Sequence, residues 1–99
     1  MMLENGYEMK TTFWSDFTIA DRFGESAVLD TYNIAFDEWK NDIEYVTELA
    51  MVLNWKIWDH YKKNKHLAEV YDRLWEDLDN WIFDNKNDDE IHYYIMVTD

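Results

Sequence analysis

The sequence predicts an all-α domain, a compact bundle of four main helices with a short helix at its C-terminus. Three observations carry that expectation. Proline is absent and glycine occurs only at Gly6 and Gly24, so the positive-φ residues that a set of short hairpins would need are missing. From residue 13 onward, apolar side chains recur at steps of three and four, the helical period. Hydrophobic residues make up 47% of the chain and aromatic residues 18%. That composition favours folding over disorder, and its large rings let a short chain close a modest core without metal or disulfide staples.

Residues 1–10, "MMLENGYEMK", show no sustained period and read as a loose arm, leaving residues 11–99 as one helical domain. In "TTFWSDFTIADRFGES", Phe13, Phe17, Ala20 and Phe23 share a helical face, and Gly24 is a natural stop. This gives a first helix over about 13–23. Ser26 is placed to cap a second, over about 26–40, with Val28, Tyr32, Ala35, Phe36 and Trp39 as its apolar stripe. "KND" interrupts, and Asp42 can cap a third helix reaching about residue 62. There Ile43, Val46, Leu49, Ala50, Leu53, Ile57 and Tyr61 make one stripe, while Met51, Trp55 and Trp58 add a second apolar surface. A helix apolar on two sides belongs in the middle, packed by neighbours on both. Its exit, "YKKNKH", sets lysines where a helix C-terminus favours cations. The fourth helix, about 65–84, is the cleanest amphipath. "NKNDD" ends it. The tail "EIHYYIMVT" is rich in β-branched and aromatic residues, yet Asn87 and Glu90 fit a capping box, and it is read as a short helix.

Formal net charge is -13, and it is uneven. Residues 1–68 hold 12 acids against 7 bases, and residues 69–99 hold 10 against 2. Such a field repels nucleic acid and anionic lipid and attracts basic protein surfaces over about a Debye length, ~8 Å at physiological salt. Cysteine is absent, excluding a disulfide framework and thiolate chemistry. The N-terminal stretch has no basic segment followed by an apolar run, and no apolar stretch approaches the ~20 residues of a membrane span. A cytoplasmic protein is expected.

Catalytic signatures are missing. There is no glycine-rich phosphate loop, GxSxG elbow or HExxH sequence. His60, His66 and His92, even with Asp59, fit no zinc spacing and read as scattered surface residues. "DNKNDDE" lacks the glycine and the final glutamate of a calcium loop. Paired acids such as Glu76 and Asp77 sit on solvent faces, without the desolvated pocket a catalytic carboxyl needs. The expectation is therefore no enzyme, no cofactor and no metal.

The fourth helix holds the candidate site. In "EVYDRLWEDLDNW", Val70, Leu74, Leu78 and Trp81 form an apolar face, and Glu69, Asp72, Glu76 and Asp79 form a carboxylate row opposite it. Arg73 is the one base in the stretch. Phe83 projects near the row as a candidate anchor, since an aromatic beside a charged rim is a common interface design. At ~1.5 Å rise per residue the carboxylates recur every ~4.5–6 Å. A groove of Lys and Arg selected to bind phosphates can accept that spacing. The partner expected is a basic nucleic-acid-binding protein, not nucleic acid itself or a membrane. The competing reading is a small helical scaffold or adaptor, including a homodimer, whose acidic face only confers solubility.

The stretches "TFWSDFTIADRFG", "AFDEWKND" and "VLNWKIWDHYKKN" resemble an uncharacterised family of small acidic, Trp-rich proteins of gut-bacterial phages and mobile elements, over about residues 11–99. The resemblance implies expression in an infected bacterium. In that setting, small acidic proteins act as nucleic-acid mimics of the anti-CRISPR or anti-restriction type.

Overall fold

The computed structural model describes residues 10–98, so the expected N-terminal arm lies outside the described residues except for Lys10. Five helices follow one another: α1 (Phe13–Asp21), α2 (Glu25–Trp39), α3 (Ile43–His60), α4 (Lys65–Asn85) and α5 (Asp88–Thr98). Among the described residues there is no strand, and no helix is long and apolar enough to cross a membrane.

Helix α3 is the axis of the bundle and packs against each of the other four. Residues Val46 to Leu53 are buried without interruption, because α4 covers one side and α1, α2 and α5 share the others. Leu49 and Leu53 are fully enclosed, each gaining on the order of 1.5–3 kcal/mol from leaving water. The second apolar surface expected on α3 is real over Met51 and half-buried Trp55, where α5 packs. It does not extend to Trp58, which is 67% exposed. Tyr61 also departs from the expected stripe: α3 ends at His60, and Tyr61 turns out to solvent.

The caps follow from local side chains. Asp42 accepts from the Glu44 and Tyr45 amides, Asn64 from the Leu67 amide, and Asn87 from the Glu90 amide at 2.9 Å. Glu90 reaches back to the Asn87 amide at 3.3 Å, completing the reciprocal box that makes the tail a helix. Ser26 is not the cap of α2. Gly24 holds that position at φ 102°, ψ -167°, a conformation essentially confined to glycine, and the helix starts one residue before Ser26. Helix α1 likewise ends at Asp21 rather than near 23, so Phe23 leaves its face and is 77% exposed.

Candidate partner-binding surface

Helix α4 buries Leu67, Val70, Tyr71, Leu74, Leu78 and Ile82 and turns its other face to water. Glu69, Asp72 and Glu76 are exposed there and join no ion pair among the described residues. Arg73 does not neutralise them, because its guanidinium points to Glu25 on α2 at 3.8 Å. Asp77 lies on the opposite flank, where burial first and then its charge push the Tyr32 phenol up to about 12.

The fourth member of the row is built differently. Asp79 is half-buried and accepts a 2.7 Å hydrogen bond from the Tyr94 hydroxyl of α5. Burial, and then that bond, hold the Tyr94 phenol well above its ordinary value. Asp79 therefore fastens α5 to α4, leaving it less available to a partner than the other three. Phe83 is 45% exposed and meets the Tyr94 ring edge-on, with centroids 6.0 Å apart. It borders a recess of about 280 Å³ between α3, α4 and α5, walled also by Trp55, Trp75 and Ile95. The structure thus groups Glu69, Asp72 and Glu76 as an open acidic strip and sets Asp79 and Phe83 together at its α5 end.

Two further carboxylates, half-buried Asp21 and fully buried Glu48, hold cross-chain contacts that the sequence does not announce. Asp21 of α1 receives Lys56 Nζ at 3.0 Å and His60 Nε2 at 2.8 Å on one oxygen, and the Tyr71 hydroxyl on the other. Lys56 is buried, donates also to Thr18 at 2.8 Å and lies over the Trp14 ring. Tyr71 stacks on His60 and meets Phe17 edge-on, and burial together with Asp21 raises its phenol strongly. Glu48 of α3 is fully buried and accepts from the Lys10 amide and from the amide and hydroxyl of Thr11. Both carboxylates tie the N-terminal part of the chain to α3. Thr18 and Asp21 stand one turn apart on α1, as do Lys56 and His60 on α3, but spacing within each helix does not show that the two pairs meet.

The histidines are dispersed. His60 meets Asp21, His66 meets Glu25 at 2.6 Å, and His92 is exposed on α5. Among the described residues no three His, Asp or Glu side chains gather where a metal could sit.

Compared with protein-family models, curated proteins and solved structures, the chain matches none of them.

Proposed function

We propose that this chain is a non-enzymatic inhibitor that presents the acidic strip of α4 to the basic nucleic-acid-binding groove of a host defence protein, as anti-CRISPR and anti-restriction mimics do. The observation that supports this reading is the set of exposed, unneutralised carboxylates at Glu69, Asp72 and Glu76 on one rigid helix. Keeping like charges together costs the isolated protein stability through self-repulsion, and a basic groove recovers that cost on binding. Charge would act chiefly on association rate and selectivity, with Phe83 adding apolar burial at the edge.

The test is a pull-down from bacterial host lysate at low and high salt, followed by competition between this protein and nucleic acid for the captured partner. Glu69→Gln/Asp72→Asn/Glu76→Gln, with Asp79 left in place to hold α5, should slow association by an order of magnitude or more while far-UV CD is unchanged. A partner that binds nucleic acid and this chain at once, each undiminished, would refute the reading. A second reading, a helical adaptor or homodimer, draws on the exposed Phe23, Trp58 and Tyr61. It requires a mass that rises with concentration and ignores salt.

A further inference from the structure

A second surface lies away from α4, in the groove between α1 and α2. The stripe Thr31, Ile34, Ala35 and Glu38 on α2 faces the α1 residues Phe13, Asp16 and Ile19 across a volume of about 550 Å³. Phe13 and Ala35 are buried at its base, whereas Ile19 is 57% and Ile34 67% exposed. Both isoleucines border this one groove, so their exposure makes a shared apolar strip rather than scattered surface residues. The polar rim is acidic. Asp16 and Glu38 border the strip, and the one lysine there, Lys10, is engaged by Glu44 at 3.4 Å.

We infer that this groove docks a basic amphipathic helix of a partner protein, its apolar residues resting on Ile19 and Ile34 and its Lys or Arg residues meeting Asp16 and Glu38. Two helical walls with an apolar floor suit the helix-in-groove mode of recognition. Charge selects the occupant. A second copy of this chain would bring another net charge of -13 against the first, and an anionic membrane or nucleic acid would be repelled in the same way. A cationic helix satisfies both the apolar strip and its rim. This inference does not depend on the α4 strip, which belongs to a different part of the surface.

The experiment is an NMR titration of the isotope-labelled full chain with a synthetic peptide of about four helical turns, roughly 14 residues. The peptide carries Leu at helical spacing and Lys elsewhere, and a control of the same composition has its leucines scattered. The patterned peptide should shift the Ile19 and Ile34 methyl signals saturably. Ile19→Ser/Ile34→Ser should weaken it by at least about tenfold, and Asp16→Asn/Glu38→Gln should weaken it in a salt-dependent way. The triple α4 variant should bind it as the parent does, so this result stands or falls separately from the inhibitor reading. Equal binding of the scattered peptide, or shifts centred on α4, would overturn the inference. So would a salt-insensitive dimer whose formation masks Ile19 and Ile34, or contacts from residues 1–9 to these isoleucines in the free protein.

Discussion

Asp21→Asn should be among the most damaging single-atom changes in this protein. The replacement keeps the side-chain shape, removes the charge and turns one of two accepting oxygens into a donating NH2. Lys56, with 1% of its side chain exposed, would then hold a buried ammonium against the Thr18 hydroxyl at 2.8 Å and the Trp14 ring, whose centroid is 4.2 Å away. A desolvated cation–π contact is worth ~2 kcal/mol, less than the several kcal/mol needed to take an ammonium out of water. Removing one partner of a buried ion pair costs ~3–5 kcal/mol, against a total stability for a domain of this size of ~5–15 kcal/mol. With ~4–8 °C of melting temperature per kcal/mol, the midpoint should fall by at least about 12 °C. Urea and thermal unfolding followed by CD measure it. The double variant Asp21→Asn/Lys56→Met separates charge from contact: it removes the stranded cation and should recover most of the loss. A single-variant cost below ~1 kcal/mol, or a double variant no more stable than the single, would refute the reasoning.

Alkaline pH should destabilise the fold from the tyrosines inward. Burial holds the Tyr71 and Tyr94 phenols above their ordinary value, assisted by Asp21 and Asp79 respectively. The unfolded chain therefore loses these protons first, and stability is complete below about pH 10 and falls above it by ~1.4 kcal/mol per pH unit per buried phenol; a midpoint in urea that stays level from pH 9 to 11 would contradict this. Among the described residues Thr47 Oγ1 is buried without a hydrogen-bond partner, so Thr47→Val should raise stability by ~1 kcal/mol at unchanged denaturant slope. Tyr94→Phe breaks the 2.7 Å bond to Asp79 and should cost ~1.5–3 kcal/mol, with amide exchange accelerated in α5 ahead of the other helices. Uniform acceleration would mean that α5 is held elsewhere.

The helices were legible because each has a strong local cause. Period fixed the buried faces of α3 and α4, and Asp42 and the Asn87–Glu90 pair act within one turn of themselves. The errors came where a local rule met geometry it does not contain. Ser26 is a better capping residue than glycine by propensity, but the turn needs φ 102° and Gly24 alone supplies it. Trp58 and Tyr61 continue the apolar pattern of α3 past the point where α5 and α4 cover it. The roles of Asp21 and Glu48 were hidden for the opposite reason. Asp21 and Glu48 look like ordinary surface acids, yet Asp21 bonds to residues 35 to 50 positions away in sequence and Glu48 to Lys10 and Thr11, 38 and 37 positions away. The acidic strip was legible at Glu69, Asp72 and Glu76. Asp79 fits the same period, and only the position of Tyr94 reveals its tie to α5.

The distribution of cations gives the α4 strip a direction. Of the 9 Lys and Arg residues, Lys10, Lys40, Lys56 and Arg73 are held in ion pairs, and Lys86 lies over the Trp81 ring. Arg22 is exposed at the end of α1, and Lys62, Lys63 and Lys65 are exposed together at the α3–α4 junction, just before the carboxylates begin. A basic groove approaching α4 would be repelled at that end and attracted from Glu69 onward, which orients it as well as drawing it in. Neutralising Lys62, Lys63 and Lys65 to Gln should therefore speed association with the basic partner, and neutralising Glu69, Asp72 and Glu76 should slow it. Both effects should shrink as salt shortens the Debye length. A uniform effect of net charge predicts the same two signs, so position is the deciding control. Neutralising Asp30 and Asp37, exposed on α2, should change the rate much less than an equal number of changes on α4. If it changes the rate equally, the strip is ordinary acidic surface and its regular spacing has no part in recognition.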